Sequence, residues 1–155
     1  MRRLVSAAMV AGVIMAGAAV APASANNIGH DGCTPGYWKN HTDNWEETTP
    51  STSVGKLYHV SAALDGVTVE DALRLKGGPG VDGAERILVR AATAAWLNTA
   101  HEGVGYPWRR YADGLDGRPP LVPYVNAALG SGDRATMIAA AERLDTDNNL
   151  GCTLN

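Results

Sequence analysis

Two cysteines, Cys33 and Cys152, stand near opposite ends of the chain and are the only cysteines among its 155 residues. In an oxidising compartment an even number of cysteines indicates pairing, and two cysteines allow a single connectivity. Closing so long a loop removes unfolded-chain entropy worth roughly 4–5 kcal/mol. The alternative, a metal–thiolate pair, has no CxxC motif or Cys/His spacing in its favour. The sequence therefore predicts a Cys33–Cys152 disulfide that encloses most of the chain.

The first 25 residues have the layout of a secretory signal peptide. Two arginines, Arg2 and Arg3, precede an uncharged apolar run over residues 4–20, and the small-x-small pattern of residues 23–25 is typical of a cleavage site. The apolar run is marginal for spanning a membrane core of about 30 Å. We therefore expect residues 1–25 to be a signal peptide, and residues 26–155 to be one secreted, extracellular domain with no membrane span after cleavage. The arginine pair leaves the general secretory and twin-arginine export routes open.

Composition excludes one class of partner. The chain has 13 Lys and Arg against 16 Asp and Glu, for a formal net charge of −3. Nucleic-acid surfaces need clustered basic residues, so we expect no nucleic-acid partner. Its 45% hydrophobic and 19% charged residues are typical of a globular domain.

The longest helical pattern covers residues 83–102. Asp82 and Glu85 resemble a capping box at its start, and Gly103 is a natural stop after its end. Apolar residues cover more than one face of this segment, which is typical of a buried helix at the centre of a bundle. The sequence predicts a mainly α, small single-domain bundle of four or five helices around this central helix, stapled by one disulfide.

Helix-start signals stand at four other places: Thr34-Pro35, Thr68 to Asp71, Pro123 and Asp133. The first would place Trp38, His41 and Trp45 on one face of a short helix. The second predicts a two-turn helix, and residues 57–60 have the composition of a short extended segment.

Several short motifs resemble a known group of proteins. Residues 33–41 read Cys-Thr-Pro-Gly-Tyr-Trp-Lys-Asn-His, and residues 148–152 read Asn-Asn-Leu-Gly-Cys. In these motifs, and in residues 76–80, 97–101 and 131–134 between them, the chain is similar to exported bacterial proteins that share a Gly-Tyr-Trp-Lys-Asn-His signature. The resemblance covers nearly all of residues 26–155. It implies a small exported module with a disulfide, and it implies no catalytic residues.

Aromatic and polar residues suggest a ligand-binding surface, since flat rings stack on ligands and polar groups hydrogen-bond to them. The candidate residues are Tyr37, Trp38, Lys39, His41 and Trp45, with Asn98 and His101 near the end of the central helix. The alternative is structural: the Trp rings close the core, and the two helix residues cap their helix. We favour the structural role for Trp38. Contact between the two groups would merge them into one site.

Catalytic and metal-binding motifs are weak. His101-Glu102 opens an HExxH pattern, but position 105 is Gly, which excludes that zinc-protease motif. His41 and His101, with Asp31 or Glu102, support the hypothesis of a small hydrolase or metal-dependent enzyme.

Near the end of the chain, Asp145, Asp147 and Asn149 alternate like calcium ligands. Position 150 is Leu where a calcium loop needs Gly, so a polar turn after the last helix is the competing interpretation. We expect no cofactor.

These patterns favour a secreted, non-enzymatic binding or surface-interaction module whose partner is a cell-wall glycan or a surface protein. The hydrolase and a purely structural extracellular domain are the alternatives.

Overall fold

The computed structural model describes residues 28–154 and is mainly helical. This part of the chain contains five α-helices: α1 (Pro35–Trp38), α2 (Val69–Ala72), α3 (Gly80–Ala100), α4 (Leu121–Gly130) and α5 (Arg134–Asn148). Single 3-10 turns lie at Thr42–Asn44, Val54–Lys56 and Leu115–Gly117. The predicted all-α fold is confirmed. The signal-peptide prediction concerns residues outside the described range.

The central helix is α3, and most of its residues are buried. Its start differs from the sequence prediction: α3 begins at Gly80 after Pro79, and no side chain caps it. The predicted Asp82–Glu85 capping box is therefore wrong. Glu85 is buried instead and accepts a hydrogen bond from the backbone N–H of Ser61 at 2.7 Å.

The end of α3 also comes earlier than predicted. The helix stops at Ala100, with His101 in extended conformation as its C-cap, so Gly103 lies beyond the cap. The observed helix therefore lies closer to the N-terminus at both ends than the predicted range of 83–102.

The sequence signals for helix starts predict the other helices with mixed success. The Asp133 carboxylate caps α5 by accepting from the N–H of Thr136 at 2.8 Å, as predicted. Thr68 likewise caps α2, but α2 has one turn rather than the predicted two. Helix α4 begins at Leu121, before Pro123.

Two local predictions near the N-terminus are wrong. Trp38, His41 and Trp45 do not share one helix, because α1 ends at Trp38 and a separate 3-10 turn follows. Residues 57–60 form no strand, since Leu57 is the helical C-cap of the preceding 3-10 turn and Tyr58 lies in a bend.

The predicted Cys33–Cys152 disulfide is confirmed, and its two Cα atoms lie 4.5 Å apart. Next to it, the N–H of Gly32 donates to the carbonyl of Gly151 at 2.9 Å. A Cβ at Gly32 would lie 2.0 Å from the carbonyl oxygen of Asp147, so only glycine allows this close approach. The start and the end of the domain are thereby fixed together beside the last turn of α5.

None of the helices in the described part of the chain is long and apolar enough to cross a bilayer.

Candidate functional site

Asn98 forms a buried junction that ties three segments together. Its Oδ1 accepts from the backbone N–H of Cys33 at 2.9 Å and from Nε1 of Trp38 at 3.0 Å. Its Nδ2 donates to the carbonyl of Cys33 at 2.9 Å and to Oδ1 of Asn148 at 3.0 Å. These four bonds use the full capacity of the amide. Because Asn98 and Trp38 are 1% and 0% exposed, they are structural and have no polar atom left for a ligand.

Two further side chains complete this buried network. Asn148 accepts from the Tyr106 hydroxyl at 2.8 Å and donates to the carbonyl of Ala91 at 3.0 Å. Burial raises the pKa of Tyr106 well above its usual value, and the charge of Asp147 adds to this effect. The Tyr106 phenol therefore stays protonated and acts as a donor. The cavity lined by Asn98 and Tyr106 measures about 10 Å³, which is room for about one water molecule.

Tyr37 and His41 lie on the outer side of the same segment and stack face to face. Their ring centroids are 4.2 Å apart and their planes differ by 11°. Nδ1 of His41 lies 2.9 Å from the carbonyl oxygen of Tyr37. A carbonyl can only accept, so Nδ1 carries the proton and Nε2 of the neutral ring presents its lone pair. His41 is exposed, which leaves this acceptor open to a ligand.

Neighbouring contacts hold Tyr37 in place. Its hydroxyl accepts from Nδ2 of Asn44 at 2.6 Å and donates to the carbonyl of Leu154 at 3.3 Å. Trp45 is half-buried, and its Nε1 donates to the carbonyl of Trp38 at 3.0 Å. Lys39 is exposed. The rings of Tyr37 and Trp45 are thus fixed in orientation while part of their surface faces solvent.

His101 joins the two candidate groups. Its ring lies 6.0 Å from the Trp38 ring, so the contact that the sequence left open is present. Nδ1 of His101 accepts from the N–H of Gly103 at 3.0 Å, which places the proton of the neutral ring on Nε2, 3.5 Å from Oε1 of Glu46. The other oxygen of Glu46 accepts from the N–H of Glu102 at 3.0 Å.

Glu46 is the site residue that the sequence analysis missed. It lies 56 positions before Glu102 in the chain, shortly after the 3-10 turn Thr42–Asn44. No local spacing connects these two positions. We define the aromatic surface as Tyr37, His41, Trp45, Glu46 and His101.

The predicted catalytic partners lie elsewhere. Asp31 accepts from the N–H of Gly105 at 3.2 Å, and Glu102 contacts Glu46 through its backbone. Both ring nitrogens of His101 have partners. Across residues 28–154, no three His, Cys, Asp or Glu side chains are grouped as a metal site would require.

The alternating Asp145, Asp147 and Asn149 do not converge. Asp145 and Asn149 are exposed beside the last turn of α5, whereas Asp147 is 4% exposed. Asp147 accepts two hydrogen bonds from Arg118, at 2.8 and 2.9 Å, and one from Nε1 of Trp108 at 2.6 Å. Asp145 and Asp147 belong to α5 itself, and the turn that leads toward Cys152 begins only at Asn149, the C-cap of this helix.

Burial alone would raise the pKa of Asp147. The hydrogen bonds from Arg118 and Trp108, together with the charge of Arg118, outweigh burial and hold this pKa below its usual value. Asp147 is thus a charged structural group committed to its partners.

No protein-family model, no curated protein and no solved structure matches this chain.

Proposed function

We propose that the protein is a secreted, non-enzymatic binding module whose aromatic surface binds a cell-wall saccharide. The observation that carries this proposal is the stacked Tyr37–His41 pair, in which Tyr37 is half-buried and the exposed His41 keeps an open Nε2 acceptor. The signal-peptide pattern of residues 1–25 and the resemblance to exported bacterial proteins support the extracellular location.

A saccharide matches this surface chemically. The flat face of an aromatic ring packs against the C–H face of a sugar ring, and nearby polar groups bond to its hydroxyls. The surface supplies a half-buried indole at Trp45, an open acceptor at His41 and a carboxylate at Glu46. A sugar hydroxyl both donates and accepts, so it is served by either polar group.

The surface is also prepared for binding. Hydrogen bonds to Asn44, Leu154 and the carbonyl of Trp38 hold the Tyr37 and Trp45 rings in their orientations. A rigid aromatic group loses little conformational freedom when a ligand arrives, which favours affinity.

Binding fits the histidines better than catalysis does. A general base needs a free nitrogen within reach of the proton that it removes. His101 has partners on both nitrogens, and His41 has no carboxylate within ion-pair distance in the described part of the chain. The carbonyl of Tyr37 orients His41, but the hydrolase hypothesis lacks a carboxylate that would stabilise the protonated ring.

The test is sedimentation of the oxidised protein with purified peptidoglycan and with neutral cell-wall polysaccharides. We expect binding to at least one of them, reduced roughly three- to ten-fold in Trp45→Ala and in His41→Ala. His59→Ala is the matched control, because His59 is exposed and its hydrogen bond to Asn126 is donated by its backbone N–H.

Two results would contradict the proposal. One is the absence of binding to every polysaccharide, and the other is unchanged binding in both variants. Lower stability in these variants without any binding by the parent protein would favour the purely structural domain.

A further inference from the structure

A second aromatic group, Tyr111, lies beside the end of α3 and is not one of the residues of the aromatic surface. Tyr111 is 71% exposed, the most of any large apolar or aromatic residue between residues 28 and 154. It borders a depression of about 270 Å³ that is also lined by Thr99, Arg109, Arg110 and Ala112. This size is near the lower end for small-ligand sites, so it suits one sugar ring rather than a large molecule.

Arg110 is committed to the protein. Its guanidinium lies over the Trp96 ring, 4.1 Å from the centroid, and its Nε donates to Oγ1 of Thr99 at 3.1 Å. Its Nη1 forms an ion pair with Glu47 at 2.5 Å. The charge of Arg110 is therefore balanced inside the molecule, and the side chain forms a fixed wall of the depression.

Arg109 differs from its neighbour. Its carbonyl accepts from the N–H of Leu121 at 2.8 Å, so its backbone is held in place. Arg109 is half-buried as a residue, and its guanidinium has no hydrogen-bond acceptor and no carboxylate partner within residues 28–154. A guanidinium offers five donors and a permanent charge, and a planar carboxylate accepts two of these donors in parallel. One uncompensated positive charge at this place matches a ligand with one negative charge.

We propose that Arg109 and Tyr111 form a binding site for a carboxylate-bearing saccharide. The Arg109 guanidinium binds the carboxylate, and the exposed Tyr111 ring packs against the sugar. Glu47 neutralises Arg110, so the site takes a monoanion rather than a phosphate dianion. This proposal goes beyond the aromatic surface, because it uses other residues and requires an acidic ligand.

The test is isothermal titration of the oxidised protein with galacturonic acid, a single sugar ring with one carboxylate, and with its methyl ester, which is the same sugar without the charge. We expect the acid to bind at least about ten-fold more tightly than the ester, with affinity falling as sodium chloride is added. Arg109→Gln and Tyr111→Ala should each weaken binding of the acid about ten-fold, whereas Tyr111→Phe should retain it. Arg86→Gln, an exposed arginine on α3, is the control that should leave binding unchanged.

Three outcomes would overturn the proposal. They are equal binding of the acid and the ester, equal losses in the Arg109 and Arg86 variants, and displacement of the acid by inorganic phosphate or a glutamate-rich peptide at comparable concentration. All four substitutions lie at exposed or half-buried side chains, and circular dichroism establishes that each variant is folded. Because Trp45→Ala and His41→Ala leave this site intact, failure here is distinguishable from failure of the aromatic surface.

Discussion

One short segment, residues 33–41, is divided between two very different environments. On the inner side, Trp38 is fully buried, and its N–H belongs to a network in which Asn98 uses every donor and acceptor. On the outer side, His41 is exposed and keeps a ring nitrogen open. The comparison shows that saturation of hydrogen bonds distinguishes a structural polar residue from a candidate ligand-binding residue, even within the same segment.

The one-turn helix α1 explains the division. Thr34 caps it by accepting from the N–H of Tyr37, and Pro35 occupies its first turn. Successive residues of a helix point about 100° apart. The turn therefore directs Trp38 into the core while its neighbours Tyr37 and Lys39 remain at the edge and in solvent.

Removing the disulfide should cause the largest loss of stability, and the loss should affect the buried and the exposed parts of residues 33–41 alike. We expect the double substitution Cys33→Ser and Cys152→Ser to lower the free energy of unfolding by about 4–5 kcal/mol, because a loop of 119 residues is released in the unfolded chain. Urea unfolding of the variant and of the oxidised parent measures the difference. A loss below about 1 kcal/mol would mean that the loop constraint contributes little.

The buried junction comes next. Asn98→Ala leaves the N–H and carbonyl of Cys33, the Trp38 N–H and Asn148 without one partner each, so we expect a loss of about 3–4 kcal/mol. Asn40→Ala is the matched control: Asn40 is exposed and makes one bond to Gly36, and its removal should cost about 0.5 kcal/mol or less. Similar losses in the two variants, measured by urea unfolding, would remove the distinction between saturated and open positions.

Asp147 provides a test through pH. Its folded pKa lies below the unfolded value of about 3.9, so its contribution is fully present above the unfolded pKa and is lost as the pH falls through the folded pKa. We expect Asp147→Asn to cost about 2–3 kcal/mol at neutral pH, since three hydrogen bonds to a charged acceptor are weakened.

The difference between the Asp147 variant and its parent should shrink as the pH is lowered below about 4. The control is Asp145→Asn, an exposed carboxylate on the same helix, which should leave the acid dependence almost unchanged. Unfolding in urea across a pH series measures both variants. A difference in stability between variant and parent that is the same at every pH would show that the charge of Asp147 does not account for its contribution to stability.

Local chemistry accounts for the parts of the fold that the sequence predicts correctly. The caps at Thr68 and Asp133 involve residues three positions apart, and the disulfide follows from a count of two cysteines. The prediction for the start of α3 is wrong because Glu85 makes a contact that is distant in sequence: it accepts a hydrogen bond from the backbone N–H of Ser61 and does not cap the helix. A close approach also matters there, since a Cβ at Gly83 would lie 2.0 Å from the carbonyl oxygen of Gly78.

The candidate site was predictable only in part for the same reason. Residue types suggest Tyr37, Trp38 and His41. In the structure Trp38 is buried, whereas Tyr37 and His41 reach the surface. Glu46 contacts His101, which lies more than fifty positions later in the chain, and the spacing of residues in the sequence does not predict such a contact. Tertiary contacts of this kind decide which polar residues are saturated.

The smallest expected change in stability is at His41, and this variant tests most directly whether an exposed residue of the segment contributes to binding rather than to stability. His41→Ala removes one exposed ring and one hydrogen bond to the carbonyl of Tyr37, so the free energy of unfolding should change by about 0.5 kcal/mol or less. Saccharide binding should fall in the same variant, because the stacked partner of Tyr37 and the open Nε2 are both lost. Urea unfolding and the polysaccharide assay, applied to one preparation, separate the two effects. A loss of stability as large as that of Asn98→Ala would place His41 with the structural residues, whereas a binding defect at nearly unchanged stability is the result expected of a surface that contacts a ligand.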